Sequence, residues 1–287
     1  MLIFFGIPLI ILFTTHIIPN IDGNLYTGDS TYGDLPFHLS IISQIAYNNI
    51  LPPQNPFYSE IPLVYPFLTD FFSAILVFEG MSLRNAVLIP GIILSLSIVG
   101  LLYDFGVAIM RDKLKSFIFT ILYLLNGGIG FLFFLKDYSF NIEKIFIALL
   151  NPGNIKEYSY LFSENIQWVN FLSRIIVPER SVLLGIPAGL IILRLLFFRE
   201  GKSFNKFEFI FIAFIFSLLP LLHTHTFLVF AIIIPLLAVG DIFKNFSIKI
   251  IKFYFLMAVT VFIMTIPYFS IFMGHLENTS KFLILHF

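Results

Sequence analysis

PLVYPFLTDFFSAILVF, Pro62 to Phe78, is apolar enough to enter a bilayer, yet it carries two prolines and Asp70, and Glu79 follows it directly. A membrane-crossing helix needs about 20 mostly apolar residues. Around this segment lie seven clearer runs, at 2–19, 86–110, 116–135, 181–198, 207–222, 226–243 and 253–273. Whether residues 62–78 add an eighth crossing decides the topology. If they do and the N-terminus is cytoplasmic, the clusters Arg111/Lys113/Lys115, Arg199/Lys202/Lys206 and Lys244/Lys249/Lys252 all fall outside. That opposes the cytoplasmic bias of Lys and Arg. If the segment lies along the interface or re-enters, all three clusters become cytoplasmic, and loops 20–85 and 136–180 become extracytoplasmic. An eight-span arrangement with the N-terminus outside also keeps the clusters inside. Against it, Arg84 is the only Lys or Arg of the first loop, and Asp70 within a span would need a buried partner.

The expected fold is therefore all-α: a polytopic membrane helix bundle of about seven spans, with juxtamembrane amphipathic helices in the first extracytoplasmic loop. Composition agrees. Of 287 residues, 58% are hydrophobic and 12% charged, against roughly 25% charged in soluble domains, and mean hydropathy is +0.94. Such a chain cannot cover its exterior with polar side chains. Lys plus Arg and Asp plus Glu number 17 each, so no net field attracts nucleic acid. With no cysteine there is neither a disulfide framework nor a thiolate nucleophile. Residues 1–19 lack the basic start and small-residue cleavage site of a signal peptide and are expected to remain as the first span. The expected location is the plasma membrane, multi-pass, with a cytoplasmic N-terminus.

Within the first loop, DLPFHLSIISQIAYNNI (34–50) places Phe37, Ile41, Ile42 and Ile45 at helical spacing, which predicts an amphipathic helix on the bilayer surface. Pro52, Pro53 and Pro56 end it. Residues 62–80 form a second such helix, stopped by Gly80, with Ser82 or Asn85 capping the next span. A similar stretch runs from Phe140 to Leu150 and ends at Asn151-Pro152-Gly153.

In this topology the unusual polar residues gather on one side: Asp22, Asp29, Asp34 and His38, then Glu179 and Arg180, then His223 and His225. Asp34 and His38, four apart, share a helix face. Asp34 reads as a general base or as a helix cap. His38 reads as a ligand contact or as an interfacial histidine with a wet tip. Arg180 reads as a phosphate clamp or as a snorkelling residue paired with Glu179. His223-Thr224-His225 admits a divalent metal ion, a phosphate site or an inert loop. Asp70 reads as the polar tip of a half-exposed helix, and Asn126-Gly127-Gly128 with Gly130 as a close helix-packing surface.

Three elements together carry a resemblance: Gly33-Asp34-Leu35-Pro36-Phe37-His38, the turn Leu51-Pro52-Pro53-Gln54-Asn55-Pro56-Phe57-Tyr58, and the aromatic start Tyr65-Pro66-Phe67 of a helix ending at Gly80. In that order after a first span they resemble the C-type glycosyltransferase (GT-C) superfamily, protein O-mannosyltransferases and lipid A aminoarabinose transferases among them. Over residues 1–287 the resemblance implies a single GT-C-like domain that moves a sugar from a polyprenyl-phosphate donor, with inversion, to a glycan, lipid or protein acceptor outside the membrane. Asp34 matches the family's acidic catalytic position, although Leu35-Pro36 stands where several members carry a second acidic residue. Asp29, His38, Tyr65, Glu179 and Arg180 are the expected substrate-binding residues, and His223 and His225 the expected ligands of a divalent metal. The family's usual C-terminal part is missing, so a truncated or split product is expected. The alternatives are a transporter or flippase of lipid-linked sugars and a non-catalytic membrane protein or fragment.

Overall fold

The structure, a computed structural model, describes all residues except 29, 59–61, 151–154, 157, 159, 169, 198–205, 245 and 274–287. It is mostly helical. In chain order the helices are α1 (Leu2–His16), α2 (Asp34–Asn48), α3 (Leu68–Phe78), α4 (Leu83–Met110), α5 (Lys113–Leu124), α6 (Gly130–Asp137), α7 (Ile142–Leu150), α8 (Arg180–Phe197), α9 (Lys206–Leu222), α10 (Thr224–Lys244) and α11 (Ile248–Met273). Two small antiparallel pairs interrupt them: β1 (Asn20–Ile21) with β2 (Asn24–Leu25), and β3 (Tyr160–Leu161) with β4 (Ile166–Gln167).

Three helices among the described residues are long and apolar enough to cross a membrane, at Leu83–Met110, Thr224–Lys244 and Ile248–Tyr268. These coincide with the expected runs 86–110, 226–243 and 253–273. The runs near 2–19 and 207–222 also form apolar helices, but shorter ones, as does Leu68–Phe78. On α10 and α11 the outer face is itself apolar, with Ile232 64%, Leu236 65%, Phe255 65% and Phe262 68% exposed. In water each such side chain would forfeit about 1.5–3 kcal/mol of burial; hydrocarbon removes that cost.

The expected run 116–135 is not one helix. α5 ends at Leu124 and α6 starts only at Gly130. Gly130 explains the break better than helix packing does: a Cβ there would sit 1.9 Å from the Tyr158 carbonyl oxygen. The segment ahead of β3 therefore lies directly on the break, and the glycines serve a loop, not a neighbouring helix.

α4 is the hub. It packs against α1, α3, α5 and α8, while α8 also meets α3, α9 and α10. Its start is defined by Gly80, at φ +97°, and by Ser82, whose Oγ accepts from the Asn85 N–H at 3.4 Å. α2 does not stand alone on a bilayer surface. It packs on α3, with Ile41 and Ile42 completely buried. One amphipathic helix has thus found its apolar partner in the next, which brings His38 and Asp70 together.

Candidate functional site

α3 turns a mixed face inward. Its buried residues are Thr69, Asp70, Ser73, Ala74 and Val77, so three polar groups enter the contact between α2, α3, α4 and α8. Asp70 is 1% exposed, which corrects the reading of a polar tip on a half-exposed helix. A carboxylate so deeply buried requires partners, and it has two. Arg180 Nε, on the first turn of α8, donates to Oδ1 at 2.6 Å, and His38 Nδ1, on α2, lies 2.7 Å from Oδ2. Arg180 Nη2 donates further to Ser73 Oγ at 2.6 Å and to the Thr69 carbonyl at 3.3 Å. Ser73 Oγ in turn donates to the Ala86 carbonyl of α4 at 2.6 Å. The Asp70 carboxylate thereby ties α2, α3 and α8, and Ser73 adds α4.

His38 and Arg180 are 1% and 2% exposed. Neither the interfacial histidine with a wet tip nor the snorkelling arginine paired with Glu179 survives. Arg180 is committed to Asp70, a residue that sequence reasoning set aside. A signal was present: Thr69, Asp70 and Ser73 recur one helical turn apart on the same face as Ala74 and Val77. A polar stripe among small residues marks a helix face packed against other polar groups.

The other expected residues surround this network. Asp34 is the first residue of α2 and Gly33 takes the N-cap position, so the cap reading is corrected; the Asp34 side chain is exposed. The His38 ring is enclosed by aromatic groups, with ring centres 5.6 Å from Phe37 and 5.7 Å from Tyr65, while Phe37 and Tyr65 meet edge-on at 5.0 Å. Burial, followed by the Glu179 carboxylate, pushes the Tyr65 hydroxyl up to about 12, partly offset by a hydrogen bond with Ser181. Glu179 is half-buried. Its carboxyl is raised above the ordinary range, first by burial and then by Asp34, with His38 and His225 acting in the opposite direction. Glu179 is thus within electrostatic reach of Asp34, His38 and His225 together.

His223 sits in the one-residue gap between α9 and α10, and His225 on the first turn of α10. Their ring centres are 5.3 Å apart, and His223 Nδ1 lies 2.7 Å from Thr226 Oγ1. Burial, then His225, lowers His223 from 6.5 to about 4, so it is a neutral ring at neutral pH. Among the described residues no group of three or more His, Asp or Glu side chains is arranged to hold a metal ion. Gly185 of α8 permits the approach of this turn, since a Cβ there would fall 2.1 Å from His223 Cβ. Asp29 lies outside the described residues.

The site therefore joins Asp34, His38, Tyr65, Asp70, Glu179, Arg180 and His225. Its charged members are the Asp34 and Glu179 carboxyl groups, with His38 and His225 within electrostatic reach of Glu179, plus one Arg–Asp pair that cancels internally. Such a set can accept, hold and pass protons. No protein-family model, no curated protein and no solved structure was found to match this chain.

Proposed function

We propose that the chain is a multi-pass membrane glycosyltransferase of about seven spans, acting on the extracytoplasmic side on a polyprenyl-phosphate-linked sugar. The observation that carries this reading is the exposed Asp34 carboxylate. It stands one helical turn from His38 and within electrostatic reach of a second carboxyl, Glu179, that burial holds toward its protonated form. A solvent-exposed carboxyl group on the first turn of a helix is open to an acceptor hydroxyl, which is what a general base requires. In the proposed step Asp34 removes the proton from an acceptor hydroxyl as its oxygen attacks the anomeric carbon. The new C–O bond forms opposite the breaking C–O bond, whose electron pair leaves with the prenyl phosphate, so the configuration inverts.

The donor phosphate would be met by His225 and the start of α10, where backbone N–H groups favour an anion. An apolar crevice of about 420 Å³ between α9, α10 and α11 suits the prenyl chain, with Phe216, Phe227, Phe230, Tyr254 and Met257 among its lining. Arg180 has a supporting role in this scheme, since its guanidinium is held by Asp70, Thr69 and Ser73.

The test is transfer from a panel of polyprenyl-phosphate sugars by the purified protein. Asp34→Asn is expected to abolish turnover while leaving expression and thermal unfolding unchanged; undiminished transfer by that variant would remove the base role.

A second reading, transport of a lipid-linked sugar, is favoured by the buried His38–Asp70–Arg180 network, because ionisable groups inside membrane bundles often mark relays. Movement of labelled donor across vesicles, without release of prenyl phosphate, would select it.

A further inference from the structure

α5 buries Ser116, Thr120 and Leu124 and turns another face outward. Lys115, Ile118, Phe119, Leu122 and Tyr123 recur at the three- and four-residue spacing of one helix face. With Met110 of α4 they line an apolar groove of about 550 Å³. Ile118 is 47% exposed and Leu122 68%, so the groove is open along its length, and Lys115 on the first turn of α5 supplies its charge.

The packing shows which end of the bundle that cation occupies. The first residue of α8, Arg180, reaches the start of α4 through Ser73 and the Ala86 carbonyl, while Arg194, late in α8, donates to Asp104, late in α4, at 2.9 Å. α4 and α8 therefore run in the same direction. α10 follows them, because a Cβ at Gly185 would meet His223 and one at Gly189 would meet Phe230. α5 begins beside the end of α4, where Ser116 Cβ would lie 3.2 Å from a Cβ at Gly106. Lys115 thus shares its end of the bundle with Arg111, Lys113, Lys244, Lys249 and Lys252, all of them exposed. Among the described residues none of these six cations makes an ion pair. The carboxylates at this end are Asp104, Asp112, Asp241 and Glu208; the first three are engaged by Arg194, the Lys115 backbone N–H and the Tyr254 hydroxyl. From Ala86, beside the Asp70 network, to Met110 the rise along α4 is roughly 36 Å, against a hydrocarbon core of roughly 30 Å. The groove's basic mouth and the candidate site therefore belong to opposite membrane surfaces.

We infer that the α4–α5 groove binds an anionic phospholipid, its phosphate held by Lys115 with Arg111 and Lys113, and an acyl chain lying along Ile118, Phe119 and Leu122. Three cations against Asp112 complement an anionic headgroup, and juxtamembrane cations of this kind attract anionic leaflets. The apolar lining suits a chain and gives nothing to a free phosphate. A protein helix laid in the groove would bury the Lys115 ammonium without a counter-charge. A lipid-linked sugar reacting at Asp34 presents its phosphate at the other surface. The inference rests on the multi-pass membrane reading and is independent of glycosyl transfer.

The experiment is native mass spectrometry of the full chain, extracted in mild detergent and mixed with equal amounts of phosphatidylglycerol and phosphatidylcholine of matched acyl chains. Phosphatidylglycerol is expected to be retained about tenfold more strongly. Lys113→Gln/Lys115→Gln should remove that preference. Ile118→Trp, which fills the groove from an exposed position, should displace the lipid with every charge intact. Lys136→Gln/Lys144→Gln, which removes two exposed lysines of α6 and α7, should change neither, and inorganic phosphate should not compete. Equal retention of the two lipids, a preference indifferent to Ile118→Trp, or an equal loss in the α6–α7 variant would overturn the site. Displacement of phosphatidylglycerol by an equal amount of a polyprenyl phosphate would overturn it in favour of the prenyl carrier. A chain recovered from cells without detergent would refute the membrane reading itself, a failure seen before any lipid is added.

Discussion

Asp70 and Arg180, 110 residues apart in the chain, meet at 2.6 Å with both side chains withdrawn from solvent. Removing one partner of a buried pair leaves an uncompensated charge, at a cost of about 3–5 kcal/mol, whereas replacing both can be nearly neutral. Arg180→Gln is therefore expected to lower the unfolding temperature sharply, and the double variant Asp70→Asn/Arg180→Gln to recover much of the loss. Thermal unfolding in mild detergent, run as a double-mutant cycle, measures the coupling.

Gly185→Ala tests how α8 meets the histidine turn. With a Cβ only 2.1 Å from His223 Cβ, the two must separate, and overpacking of this kind costs about 1–3 kcal/mol. Gly240→Ala, which meets nothing within 4 Å on α10, should be neutral or stabilising. Equal unfolding temperatures for the two variants would contradict the close approach.

Glu179 makes stability depend on pH in a defined direction. Its folded proton affinity is raised above the ordinary carboxyl value of 4.5, chiefly by burial. The folded chain therefore holds more protons than the unfolded one just above that pH. Its contribution is present below 4.5 and is lost as pH rises through the raised value. Glu179→Gln stays neutral, so its unfolding temperature should gain on the wild type as pH rises from 4.5 toward neutrality. A constant difference across that window would show that Glu179 is not desolvated.

The proposed topology is open to direct labelling, because the chain has no cysteine. A cysteine at Tyr32, 69% exposed, should react with an impermeant reagent on intact cells, and one at the exposed Lys113 should react only after the cells are opened. The reverse pattern would remove the extracytoplasmic site.

Much of the helical layout was legible because apolar runs and breakers are local signals. Gly80 and Ser82 bounded α3 and α4 as expected, and Asp34 and His38 share a face through their spacing. The break between Leu124 and Gly130 was not legible, since its cause is a carbonyl of Tyr158 supplied by a distant loop. The β1–β2 hairpin was legible but overlooked: Asp22 and Gly23, at φ 52° and 83°, form the Asp-Gly turn between two short strands. Asp70 shows the harder limit. Sequence reasoning stated that it would need a buried partner in a span, but not that Arg180 and His38 would both serve, because pairing across 110 and 32 residues leaves no periodic trace.

That separation also sets an order of events during biosynthesis. Translation proceeds N-terminus first at roughly 5–20 residues per second, so Asp70 leaves the ribosome some 5–20 s before Arg180 exists. His38 has already emerged and can hold the carboxylate in the interval. The arginine is then a late clasp: a chain interrupted before residue 180 lacks the cation that neutralises Asp70 in the folded bundle.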